Sequence, residues 1–294
     1  MGKKVIHAAH FERSLKKRSP KRFQRLKPDL ENETFKVISN RKLKNPKLFK
    51  YWKNRVRIFS KIHENNIHLT EALWFSVTPE SISKFVAQFA KSCLPDARCI
   101  LDVCCGGGGN TIQFAQLFPR VIGVDNDLSH LYCCVMNCRA YNVEKSVWLK
   151  YGPWNSDISL GKDVTVDCIF SSPPWGGPEY LHADKYDLEK SLQPGGITYL
   201  LRSFAKFTQN IILFLPRNSN LQQIASSTRS VFGPLAKCKV LYVKDNGYLK
   251  GIMCMWGAPF LNYNTASSDE EPSDEPKSVT QPAGNTSELY DING

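Results

Sequence analysis

The chain has 294 residues, 42% of them hydrophobic, enough for a sizeable core in one large domain or two small ones. No stretch approaches the ~20 apolar residues that cross a bilayer, and the basic N-terminal region has no apolar leader, so a soluble intracellular protein without a membrane partner is expected. The net charge of +12 is uneven: residues 1–57 hold 19 Lys and Arg against 4 Asp and Glu, whereas residues 265–294 hold 1 Lys against 7 acids.

Residues 1–45 are basic and polar without sustained periodicity, and they read as a disordered basic tail. Lys16-Lys17-Arg18 and Lys21-Arg22 flank Ser19-Pro20 and suit a polyanion such as RNA, or a nuclear-import signal. A helix is predicted over 47–62, with Leu48, Trp52, Val56 and Phe59 on one stripe. Another is predicted after Thr78 as N-cap and Pro79 as first helical residue, with Ile82, Phe85, Val86 and Phe89 on its apolar face.

From Pro95 the pattern becomes alternating strands and helices. Strands are predicted at 99–103, 121–124, 147–149, 168–170 and 211–215, and helices at 110–117, 128–141 and 199–207. The last pair of strands, 239–243 and 251–256, flanks Asp245-Asn246-Gly247, and Asn-Gly favours a tight hairpin turn. This order predicts an α/β fold, a parallel sheet with helices on both faces and an antiparallel hairpin at one edge. The Ser/Pro/Glu-rich segment after Asn264 reads as a disordered acidic tail. None of the ten cysteines forms a CxxC pair, so Cys133, Cys134 and Cys138 read as buried reduced thiols, and no metal is expected.

The run from Leu101 to Asn110 lies at a strand-to-helix junction, where doubly wound sheets bind nucleotides. Gly106 to Gly109 let backbone approach a ligand, and Asp125, at the end of the next strand, can accept hydrogen bonds from ribose hydroxyls. Two ligands compete. A dinucleotide would need a glycine where Thr111 stands, and Asp102 would repel its pyrophosphate. S-adenosylmethionine carries no phosphate, and its ammonium would pair with Asp102, so it is the expected cofactor.

Ser172-Pro173-Pro174-Trp175 follows the strand at 168–170. Two prolines stiffen the backbone and remove two donors, leaving carbonyls free as acceptors. The Ser172 hydroxyl and the Pro173 carbonyl could hold an exocyclic amine while Trp175 stacks on the ring that carries it. The plain alternative is a proline-stiffened turn with a core tryptophan.

Four motifs together resemble the trimethylguanosine synthase family: Asp102 with Cys105-Gly106-x-Gly108-Gly109-Asn110-Thr111, Ser172-Pro173-Pro174-Trp175-Gly176-Gly177-Pro178-x-Tyr180, Trp74 to Glu80, and Leu215-Pro216-Arg217-Asn218. The resemblance spans roughly residues 50–256. It implies a Rossmann-like class I S-adenosylmethionine-dependent methyltransferase fold with a mainly parallel seven-stranded sheet. The expected organisation is a basic tail at 1–45, a small helical extension at 46–94, the methyltransferase domain at 95–264 and an acidic tail at 265–294. It further implies two successive N2 methylations of the 7-methylguanosine cap of small nuclear and nucleolar RNAs. Asp102, Asp125, Gly106, Gly108 and Thr78 would hold the cofactor. Trp175 would stack on 7-methylguanine, with Ser76 opposite and Asn137 on its edge, while Lys50, Tyr180 and Arg217 would contact the triphosphate. A nuclear and nucleolar location, action as a monomer and contacts with small ribonucleoprotein core proteins accompany that reading. Cys104 and Gly107 depart from the family pattern. So does Tyr151-Gly152-Pro153-Trp154, which leaves the adenine amine to Asp157 or a backbone carbonyl. The competing functions are methylation of guanine or adenine inside RNA, and a non-catalytic RNA-binding or assembly role on the same scaffold.

Overall fold

The computed structural model describes residues 5–38, 43, 45–64, 66–155, 157–161, 163–177, 180, 184–263 and 288–291. Five strands form the parallel centre: β2 (Cys99–Val103), β3 (Arg120–Asp125), β4 (Val147–Tyr151), β5 (Cys168–Ser171) and β6 (Ile211–Pro216). Strand β2 is buried along its whole length, as a strand covered on both faces requires. β1 (Ile6–His7), β7 (Lys239–Asp245), β8 (Tyr248–Trp256) and β9 (Glu288–Asp291) complete a nine-stranded sheet of order β1-β4-β3-β2-β5-β6-β8-β7-β9. The inner seven are the predicted ones; β1 on β4 and β9 on β7 are antiparallel additions at the two edges. Chain order reverses between β2 and β5, so the crevice at their carboxyl ends is the natural ligand position.

Apolar clusters fill both faces. Ile100, Phe114, Phe170, Phe214 and Met253 belong to one; Leu101, Val103, Leu213, Ile252 and Trp256 belong to the other. The helices of the domain are α5 (Glu80–Cys93), α6 (Gly109–Leu117), α7 (Leu128–Ala140), α8 (Gly196–Phe204), α9 (Leu221–Phe232) and α10 (Ala258–Leu261). Asn246 and Gly247 both adopt positive φ, 50° and 76°, so the predicted hairpin turn forms.

Three stretches differ from expectation. The basic tail is folded in large part: α1 (Phe11–Arg18) and α2 (Pro20–Glu31) pack onto the sheet's α7 side. Phe11, Leu15 and Leu26 are buried there, and Glu12 pairs with Arg139 at 2.8 Å. Few apolar residues suffice because the core they join already exists. The helix predicted over 47–62 is broken into α3 (Phe49–Lys53) and short 3-10 turns at Arg55–Arg57 and Ser60–Glu64. Asn54 interrupts it by donating its side-chain amide to the Lys50 carbonyl at 2.8 Å. In the acidic tail, β9 pairs with β7, whereas 264–287 and 292–294 lie outside the described residues.

A further short helix, α4 (Glu71–Ser76), is capped by Thr70 and leads into α5, which starts one residue later than predicted. Thr78 is not the cap; its Oγ1 accepts a hydrogen bond from Asn110 Nδ2 at 3.1 Å. Glu80 then anchors the extension: its buried carboxylate accepts from Ser60, from the Tyr141 hydroxyl at 2.7 Å and from Lys84. No helix among the described residues is long and apolar enough to cross a membrane.

Candidate active site

Three of the five residues from Cys104 to Gly108 are left-handed: Cys104 at φ 65°, Gly106 at 52° and Gly108 at 87°. At Gly108 a Cβ would stand 2.8 Å from Cys134 Sγ, so glycine is required there for space as well as for conformation. Cys104 costs strain of about 1 kcal/mol or more, which its hydrogen bond to the Val124 carbonyl at 2.9 Å helps to hold.

Asp102 ends up 1% exposed, accepting a 2.5 Å hydrogen bond from Thr111 Oγ1. Burial outweighs that bond and pushes its pKa up to about 8. Nearby, Asn110 Oδ1 is buried without a partner among the described residues. A buried carboxyl lacking a cation and an unpaired acceptor beside it are suited to an ammonium group, so these residues fit the methionine end of S-adenosylmethionine. Asp125 accepts from the backbone N–H groups of Gly106 and Asp127, each at 2.9 Å, and keeps lone pairs for a ribose. His130 lies 3.4 Å from Asp125. Burial would lower the pKa of His130, but its bond to Asp125 and the charges of Asp125 and Asp127 outweigh that and raise it. His130 escaped the sequence reading; the only signal was an ionisable residue one helical turn after Asp127.

Asn137 requires a correction. It is fully buried on α7, its Oδ1 accepts from His68 N at 2.7 Å, and its Nδ2 donates to the carbonyls of His68 at 2.9 Å and Gly107 at 2.8 Å. Both amide donors are spent on backbone carbonyls and the side chain is fully buried, so it clamps the glycine loop rather than presenting a free edge to a base. Asn137→Ala is expected to lower unfolding stability in urea by about 2–4 kcal/mol, because three backbone groups lose a buried partner.

At the other side of the crevice, β5 ends beside β2, and Ser171 Oγ donates to the Val103 carbonyl at 2.7 Å. Ser172 follows half-buried, Pro173 buried and Pro174 exposed. The half-buried Trp175 ring meets Tyr180 edge-on at 5.3 Å and Phe214 at 5.5 Å, leaving it neither a core residue nor a free one. Burial raises the Tyr180 pKa, opposed by the Arg217 charge and reinforced by Tyr51. Tyr180, Arg217 and Tyr51 are therefore electrostatic neighbours. Arg217 is exposed just beyond β6. Lys50 on α3 is exposed, its ammonium 4.9 Å from the Tyr51 ring centre, and Tyr51 meets Phe75 edge-on at 5.3 Å. Tyr51 and Phe75 are half-buried and pack against the apolar cluster of this face. Ser76 is exposed at the end of α4, donating to the Ala72 carbonyl at 3.2 Å. Pro178 and Glu179 lie outside the described residues.

The segment after β4 does not place Trp154 near a cofactor: it is buried on the α8 face, with Nε1 donating to Ser203 Oγ at 2.8 Å. Gly152 N–H donates to the Asp125 carbonyl at 2.9 Å, and Asp157 is exposed. Among the described residues no group of three or more His, Cys, Asp or Glu could hold a metal, and Cys133, Cys134 and Cys138 are fully buried.

The family model described as RNA cap guanine-N2 methyltransferase matches residues 97–259. Trimethylguanosine synthase of Saccharomyces cerevisiae is 51% identical over an alignment of 315 positions covering 100% of both chains. Trimethylguanosine synthase of Schizosaccharomyces pombe is 32% identical, with 70% of this chain and 84% of the relative covered. Among solved structures, a methyltransferase of Porphyromonas gingivalis W83 is similar in fold, with TM-score 0.51, 12% identity and coverage of 81% of this chain and 54% of the other. The glycine loop, the paired acids and the proline-tryptophan loop thus lie within the matched stretch, and the chain belongs to the RNA cap guanine-N2 methyltransferase family.

Proposed function

We propose that the protein methylates N2 of the 7-methylguanosine cap of small nuclear and nucleolar RNAs twice, giving 2,2,7-trimethylguanosine, with S-adenosylmethionine as donor. The observation that carries the reading is the Ser172-Pro173-Pro174-Trp175 loop, which leaves β5 directly beside the Asp102 end of β2. S-adenosylmethionine supplies an electrophilic methyl group on a sulfonium. Asp102 would hold its ammonium, Asp125 its ribose and Gly106 and Gly108 would line it with backbone, while Thr78 accepts a hydrogen bond from Asn110.

An aromatic amine is a weak nucleophile because its lone pair is delocalised. The Ser172 hydroxyl and the Pro173 carbonyl accept its N–H groups and draw the nitrogen towards a tetrahedral shape. Trp175 stacks on the ring, favoured by the positive charge of 7-methylguanine, with Ser76 on the opposite side. Tyr180, Arg217 and Lys50 meet the triphosphate. No strong base is needed, since the proton leaves after transfer, so positioning carries the rate. The capped substrate implies a nuclear site of action, and we extend it to the nucleolus, with action as a monomer alongside small ribonucleoprotein core proteins.

The test is capped small RNA incubated with labelled donor and digested to nucleosides. Label in 2,7-dimethylguanosine and then 2,2,7-trimethylguanosine is expected. Label confined to internal nucleosides would instead support an internal RNA methyltransferase.

A second expectation concerns α1 and α2, where Lys16, Lys17, Arg18, Lys21 and Arg25 are exposed and have no ion pair among the described residues. Changing Lys16, Lys17, Arg18 and Lys21 to Glu should raise KM for capped RNA but not for the free cap nucleotide. The log–log salt slope should become shallower by about 0.7 for each phosphate no longer neutralised.

A further inference from the structure

The β6–β8 ladder ends with Pro216 opposite Gly251, but the β7–β8 hairpin continues outward to Asp245 opposite Tyr248. Its tip therefore overhangs the sheet edge where Trp175 and Arg217 stand. Lys250 is the residue next to Gly251, as Arg217 is next to Pro216, so the two cations leave adjacent strands at the same level. A register shift opposite Val243 and Lys244 bends the hairpin here.

The tip is held firmly. Asp245 is 5% exposed, ion-paired with Arg57 at 2.5 Å and accepting from Ser81 Oγ at 3.1 Å. Arg57 follows α3, the helix that carries Lys50, so the tip is tied to that segment. On this fixed support Tyr248 is 72% exposed, and the Lys250 ammonium lies 5.6 Å from its ring centre. A core tyrosine would be covered, and a merely solvating turn has no use for a large flat ring. An exposed aromatic paired with a cation, on the strand next to an arginine proposed to meet the triphosphate, has the composition of a single-strand nucleic-acid subsite.

We propose that the β7–β8 tip binds the first nucleotide joined to the cap, Tyr248 stacking on its base and Lys250 meeting its phosphate. This rests on the protein being a cap methyltransferase. The experiment compares 7-methylguanosine triphosphate with a 7-methylguanosine-capped tetranucleotide, by initial rates and by fluorescence titration, for the parent, Tyr248→Ala, Tyr248→Phe and Lys250→Ala. The parent should favour the tetranucleotide, and Tyr248→Ala should raise its KM and Kd about tenfold, the scale of one base stack. Values for the mononucleotide should stay unchanged, Tyr248→Phe should restore binding, and Lys250→Ala should flatten the salt dependence. Equal effects on both substrates, or none on either, would overturn the subsite; none on either is also the result if the tip serves a protein partner. A parent that methylates neither substrate overturns the cap reading, and the subsite with it.

Discussion

Trp175→Ala is expected to lower kcat/KM for a 7-methylguanosine cap by about 10³–10⁴-fold while the affinity for S-adenosylmethionine stays within about twofold. The loss has two parts. Stacking on a desolvated cationic ring contributes about 2 kcal/mol, and the amine then loses its alignment with the donor methyl, for which a 1 Å error costs about 10²-fold. Cofactor binding is spared because Trp175 leaves β5, whereas Asp102 and the glycine loop belong to β2 and its junction with α6. Trp175→Phe should recover most of the rate, since Tyr180 and Phe214 still wall the ring position. Steady-state kinetics with calorimetric titration of the cofactor separates the two effects, and a Trp175→Ala enzyme with ordinary kcat/KM would rule out stacking.

Asp102→Asn is expected to weaken S-adenosylmethionine binding by about 10- to 100-fold, the value of a hydrogen-bonded charge removed from a buried site. The same change should make the ligand-free protein more stable at pH 8. An ordinary aspartate ionises near 3.8, whereas burial holds Asp102 protonated to about 8. Between those pH values the folded state holds a proton that the unfolded chain has released, so folding stability falls as pH rises through the window. Asparagine has no such proton and removes that slope, and Thr111 can still donate to its amide oxygen. Urea unfolding at pH 5.5 and pH 8, with calorimetry alongside, checks both halves. A variant that binds the cofactor normally would remove Asp102 from the ammonium site.

The parallel centre was legible because its strands are short apolar runs between glycine, proline and polar turns, and each formed within two or three residues of its expected bounds. The hairpin was legible from Asn246-Gly247 between two apolar runs. Helix α9 was missed: Leu221, Ile224, Val231 and Phe232 stand at helical spacing, but Ser226, Ser227, Thr228 and Arg229 interrupt them, and its buried positions are Ile224, Ser227 and Thr228. The face is satisfied instead by Thr228, which bonds the Ile224 carbonyl and accepts from Trp256 Nε1 at 2.9 Å. Helices α1 and α2 were hidden for a related reason, their few apolar residues being diluted among lysines and arginines. Edge strands β1 and β9, two and four residues long, carry too little pattern to be read.

At the candidate site, Asp102, Asp125, the glycines and the Ser172–Trp175 loop were singled out by their position at the ends of predicted strands, and the structure puts them at the ends of β2, β3 and β5. Asn137 was misplaced, because what fixes that side chain is contact with His68 and Gly107, 69 and 30 residues away.

If Trp175 and the Ser172-Pro173 acceptors work as argued, they select a methylated, positively charged guanine and present its amine to the donor. Methyl transfer from labelled S-adenosylmethionine to 7-methylguanosine triphosphate and, in parallel, to guanosine triphosphate measures that selection. Label is expected at N2 of the 7-methylated nucleotide, with a kcat/KM for the unmethylated one lower by at least about tenfold, the scale of one cation–π interaction. Equal transfer to both, or label at any other atom, would contradict it.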